Sequence, residues 1–97
     1  MTTIKYEDYL IESLKDPEEA AGYLNAVLEE GDIRLFLFAL SNAVKAHGGV
    51  KKIAEITHKG RSSLYKTLSN KGNPYLKSTN EILATVALHL KVVANSS

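Results

Sequence analysis

Apolar positions recur along this chain at steps of three and four rather than two, and they divide it into a series of short helices. From Pro17 to about Glu30, the residues Ala20, Tyr23, Leu24, Val27 and Leu28 form one inward stripe, which predicts an amphipathic helix. Asp16, Pro17 and Glu19 mark its start. Asp accepts from free backbone amides, proline is tolerated at the first helical position, and Glu suits the positive helix end. Gly31 marks its end, because glycine enters the left-handed conformation without a steric clash, and Asp32 caps the next helix. The segment from Ile33 to about His47 is apolar nearly all round. Leu35, Phe36, Leu37, Phe38, Ala39, Leu40, Ala43 and Val44 leave only Arg34, Ser41, Asn42 and Lys45 for water, a pattern that predicts a central helix buried on more than one side.

Gly48 and Gly49 break that helix, and Val50 to Ser69 then reads as two short helices around a tight turn. Val50, Ile53, Ala54 and Thr57 share the inner face of the first. Leu64 and Leu68 turn inward from the second, which leaves Arg61, Ser62, Tyr65, Lys66 and Ser69 as an outer polar row. His58, Lys59 and Gly60 allow only a sharp corner between them. This is the geometry of a DNA-binding helix-turn-helix, whose second helix enters the major groove. After a turn at Gly72, Asn73 and Pro74, Ser78 and Glu81 have the spacing of a capping box. They predict a last helix from about Thr79 to Lys91 that buries Ile82, Leu83, Val86, Ala87 and Leu90. The tail Val92–Ala94 is open to two readings, an edge strand against a symmetry mate or a frayed end. The first fifteen residues are less regular: Ile4, Tyr6, Tyr9, Leu10 and Leu14 suit a short helix, whereas Ile11 falls off that stripe, so the segment is also readable as an arm.

Charge changes the picture. From Gly49 onward eight lysines or arginines face two acids, a net +6, whereas the first 48 residues carry four bases and nine acids, a net −5. The overall +1 therefore hides a dipolar chain. A basic half centred on the outer row of a helix-turn-helix is the electrostatic footprint of a duplex binder. Ninety-seven residues, 44% hydrophobic and 24% charged, suit one soluble globular domain over residues 1–97. The absence of cysteine excludes a disulfide framework and thiolate-bound zinc. No cationic start precedes an apolar run, and no apolar stretch approaches the roughly 20 residues needed to cross a bilayer. The expectation is a cytoplasmic protein without a membrane partner.

The order of these features resembles the addiction-module antidote family, small antitoxins with a λ-repressor-like helix-turn-helix. The resemblance is carried by DPEEAAGYLNAVLEEGD (Asp16 to Asp32), FLFAL (Phe36 to Leu40), IAEIT, RSSLYKTLS, GNP and ILATVALHLKV, and it extends from about Tyr6 to Val93. It implies an all-α bundle of five to six helices. It also implies an antitoxin that neutralises a small RNA-cleaving toxin and represses its own operon, as a homodimer on a palindromic double-stranded operator. The corner departs from the family habit of glycine, an apolar residue, then Ser or Thr: His58, Lys59 and Gly60 stand there instead. His tolerates positive φ, Gly60 is an acceptable cap, and Lys59 replaces an apolar contact, its stem over the core and its ammonium toward a phosphate.

On this reading Arg61, Ser62, Tyr65 and Lys66 read bases, and Arg61 has the fork to bind guanine bidentately. Tyr65 equally suits a ring packed along its own helix. Lys51, Lys52, Lys59, Ser63 and Lys71 contact phosphate, which sets affinity and salt dependence without reading sequence. The acidic half, from Glu7 to Asp32, would repel DNA and attract a small basic toxin. Catalysis has little support: His47, His58 and His89 lie in separate elements without metal-ligand spacing, and no Ser or Cys nucleophile stands beside a recognisable base. No cofactor or metal is expected. The alternatives are a free-standing phage-type or bacterial repressor without a toxin, and a helical interaction module that does not touch DNA.

Overall fold

The computed structural model describes residues 6–69 and 73–95; Ile4 and Lys71 lie outside them. Among the described residues it is all-helical, with α1 Tyr6–Ser13, α2 Pro17–Glu29, α3 Ile33–Ala46, α4 Gly49–Thr57, α5 Arg61–Leu68 and α6 Leu76–Thr85. No strand occurs among them, and residues 91–95 of the tail have neither helix nor strand assigned. The starts of α2 and α3 follow the predicted chemistry. The Asp16 carboxylate accepts from the Glu18 amide at 2.9 Å ahead of Pro17, and the Asp32 carboxylate accepts from Arg34 at 3.0 Å and Leu35 at 3.3 Å. Each cap fills an orphan donor with a charge that suits the helix end. Gly31 between the two helices has φ +77°.

Helix α3 is the hub, packed against α1, α2, α4 and α5. Leu37, Leu40 and Val44 meet Leu24 of α2, Ile53 of α4, Leu64 of α5 and Ile82 and Leu83 of α6 in one core. α3 is buried on more than one side, as its pattern predicts, but the apolar residues on it are not all covered. Phe38 is 62% exposed, and Leu35 and Ile33 also face water. Phe38 shares the helical phase of Arg34 and Lys45, an outer stripe. Asn42, expected in solvent, is buried and turns its amide toward the Tyr23 hydroxyl at 3.4 Å. Helical phase decides Phe38, whereas packing against Tyr23 of α2 decides Asn42, which shares its phase with the exposed Leu35. Leu28 of α2 is likewise less covered than its stripe implied.

Residues 6–13 form a helix packed on α3, and the fully buried Leu14 comes directly after it. The Lys45 ammonium lies 3.5 Å from the Glu7 carboxylate across that contact.

The last helix is displaced from its expected span. It begins at Leu76 with Tyr75 as N-cap and no side-chain cap, so Ser78 lies inside it and the capping box does not form. Leu76 and Lys77 are good helix formers, and nothing stops the helix from growing backward until Asn73-Pro74, where the residue before proline is held extended. The helix also ends early. Ala87 takes φ +65°, the Leu88 amide donates to the Leu83 carbonyl at 2.9 Å and the Ala87 amide to the Ala84 carbonyl at 3.2 Å. These two bonds make a Schellman closure with alanine where glycine is usual. The residues beyond α6 are placed accordingly: Ala87 and Leu90 are exposed instead of buried, His89 is not helical, and Leu88 packs against the core.

Candidate nucleic-acid interface

The corner between α4 and α5 forms from the residues expected to make it. Ile53 is buried, with Val50 and Ala54 packed beside it against the core. Thr57 closes α4, its hydroxyl donating to the Ile53 carbonyl at 2.8 Å and accepting from the Lys59 amide at 3.3 Å. His58 then takes φ +59°, the left-handed residue that a three-residue turn requires and that histidine accepts better than β-branched residues. Gly60 is extended and opens α5.

Helix α5 is held by Leu64, which is 1% exposed, and by the half-buried Leu68. Arg61, Ser62, Ser63, Tyr65, Lys66 and Ser69 are all exposed. The outer row is thus brought together on one face, carrying two cations and no acid. Tyr65, 59% exposed, divides its ring between that face and a cleft shared with Leu37, Phe38, Val44, Val50 and Leu68. The Ser69 hydroxyl is turned back onto the Tyr65 carbonyl.

Sequence reasoning finds the Gly60 cap but not the Gly48 one, and it misses a second feature of the corner altogether. Neither α4 nor α5 has a side-chain cap: their N-cap residues are Gly48 and Gly60. The first-turn amides of both helices therefore remain available to an outside acceptor, with Lys51 and Lys52 exposed on the first turn of α4 and Arg61 at the head of α5. Glycines at these two positions were the available signal. The second feature is an ion pair. Lys59, expected to reach phosphate, places its ammonium 3.2 Å from the Glu81 carboxylate, both side chains about two-thirds covered. The ammonium joins the corner to α6, and Glu81 is drawn there rather than to a helix cap. Lys71, the remaining expected phosphate contact, lies outside the described residues.

An all-helical body with an exposed cationic helix defines the general class. The comparisons with known proteins narrow it. Residues 4–94 match the family model described as probable addiction module antidote protein, and the chain belongs to that family. It is also 35% identical over 81 residues to an uncharacterized protein of Haemophilus influenzae, an alignment spanning 84% of this chain and 82% of the relative. No solved structure matches the chain. No helix among the described residues is long and apolar enough to cross a membrane.

Proposed function

We propose that this antidote protein is a helix-turn-helix repressor of its own operon as well as an antitoxin, with α5 as the recognition helix. One observation carries the DNA reading: an acid-free row of Arg61, Ser62, Tyr65 and Lys66 stands on an exposed helix whose opposite face is locked into the core. Arg61 and Ser62, on the first turn, and Tyr65 and Lys66, one turn later, are the side chains that a helix laid in a major groove offers to base edges. Lys51, Lys52 and Ser63, with the uncapped first-turn amides, take phosphates. Lys59 is not assigned a phosphate, since Glu81 holds its charge. Two copies on a palindromic operator supply the paired half-sites.

Family membership implies a toxin partner. In this reading the toxin is a small basic RNA-cleaving protein, and the acid-rich surface of α1 and α2 attracts it. The test is titration of the full chain onto duplex DNA from its own promoter at several salt concentrations. Saturable binding that falls steeply with salt, and that exceeds binding to a scrambled duplex, is the expected result. Binding indifferent to sequence and salt removes the repressor reading and leaves the antidote role standing.

A further inference from the structure

We propose that the C-terminal tail and the apolar groove beside it are two halves of one self-complementary surface, on which a second copy of this chain docks by reciprocal exchange of tails. The inference deepens the paired-repressor reading by naming the surface of the pairing.

The tail is apolar and uncovered. Leu90 is fixed where the chain leaves α6, its amide donating to the Asn80 side-chain oxygen at 3.2 Å. Beyond it Val92 is 98% and Val93 72% exposed, and among the described residues Lys91–Ala94 make no hydrogen bond to the rest of the chain. A segment outside any helix, with unpaired amides and carbonyls and consecutive β-branched side chains, is a template for pairing with another chain.

The receptor lies alongside. A groove of about 340 Å³ opens between the α2–α3 turn and the start of α6, lined chiefly by Leu28, Ile33, Phe36, Pro74, Leu76 and Leu90. Leu76 is 72% exposed. A second depression shares Leu28 and Leu90 with it and runs on to Val93 past Asn25, Glu29, His89 and Lys91, so tail and groove adjoin at Leu28 and Leu90. Isolated surface hydrophobics need no explanation, but a contiguous patch of this kind marks a docking site.

The charges around it select the occupant. Glu29 and Lys91 both line the part that reaches Val93, while Asp32 precedes Ile33 and Lys77 comes after Leu76 in sequence. A two-fold contact presents the same patch to itself and so must be self-complementary. Glu29 and Lys91, side by side on one depression, meet that condition, because the acid of one copy can face the cation of the other.

The test is sedimentation equilibrium on the full chain, on V92D/V93D in the tail and on L76D in the groove. All three substituted side chains are exposed, and thermal melts check that the variants remain folded. The wild type is expected to be dimeric at tens of micromolar. Each variant should weaken pairing by about 100-fold, since each buries a lone carboxylate in an apolar contact. The natural chain has no cysteine, so a mixture of V92C and L76C should form a disulfide between copies. A wild type that is monomeric at roughly 100 μM, or a dimer indifferent to both charged variants, overturns the inference. So do V92C–V92C links without V92C–L76C links, which mean tail against tail. A monomer that still binds its promoter duplex in a salt-dependent way removes the exchange and leaves the DNA reading intact. A tail-dependent dimer that ignores DNA supports the exchange and removes the repressor.

Discussion

Helices α2 and α3 begin on aspartates, whereas α4 and α5 begin on glycines. In the first pair the carboxylates of Asp16 and Asp32 accept from first-turn amides, so both helix ends are partly satisfied by charge from within the chain. In the second pair no side chain does this, and the charged residues of the first turns are the cations Lys51, Lys52 and Arg61, with no acid among them. Water satisfies such amides at little cost as long as they stay exposed. An anion that replaces the water gains both the hydrogen bonds and the helix dipole. The first pair is therefore electrostatically complete, and the second is left open to an anion from outside. An open helix end alone says little. Here it adjoins a cationic row on a helix seated rigidly by Leu64.

The largest effect that tests this contrast is on base reading. Arg61→Ala should weaken promoter binding by about 10- to 100-fold and relax preference at one base pair, as expected for loss of a bidentate contact. Lys51→Ala should instead weaken all duplexes alike and lower the slope of log affinity against log salt by about 0.9. Affinity titrations on the promoter and on single-base variants separate the two. An Arg61→Ala protein with unchanged affinity would show that α5 is not the reading helix.

Gly60 permits a more direct trial, because it is already extended and a Cβ added there meets nothing within 4 Å. Gly60→Asp should convert α5 to the α2 pattern, gaining about 0.5 kcal/mol of stability from the cap and dipole. It should lose about tenfold or more in DNA affinity, since the carboxylate occupies the amides and repels phosphate. Gly60→Ser caps without charge and should keep most of the affinity. Melting curves and the same titrations read both outcomes. The converse change, Asp32→Ala, should cost about 1 kcal/mol in thermal or urea unfolding, the usual loss for an N-cap, with DNA affinity per folded molecule unchanged.

The features that were legible in the sequence are those with a local cause. Asp16-Pro17 and Gly31-Asp32 fixed helix boundaries because each residue acts on its own backbone, and the seats of Ile53 and Leu64 came from spacing. The outer row from Arg61 to Ser69 was legible for the same reason. The misplacements have tertiary causes. Ala87 enters the left-handed region because Leu88 is then carried onto the core, and no propensity scale sees that exchange. Left-handed alanine costs about 1 to 2 kcal/mol, so Ala87→Gly should raise stability by about 1 kcal/mol once the greater freedom of unfolded glycine is subtracted. Asn42 is buried because Tyr23 on another helix faces it. Lys59 was assigned to phosphate because Glu81, 22 positions away, is invisible in a local reading.

That ion pair yields the smallest effect and the finest test of the division between the two halves. Glu81 is one of only two acids from Gly49 onward, and it lies on α6, where it pairs with a cation next to the proposed DNA face. Both side chains are about one-third exposed, so screening limits the pair to about 0.5 kcal/mol of stability. Lys59→Leu restores the apolar residue usual at this corner and should leave stability within about that margin, because the buried stem offsets the lost attraction. It should also leave the salt slope of promoter binding unchanged, since the ammonium is already engaged. Glu81→Gln removes the competing carboxylate and releases Lys59. Promoter binding should then tighten by about two- to threefold and the slope steepen by somewhat less than about 0.9, one partial phosphate contact. A flatter slope in Lys59→Leu would mean that the ammonium leaves Glu81 for phosphate when DNA arrives, returning Lys59 to the interface.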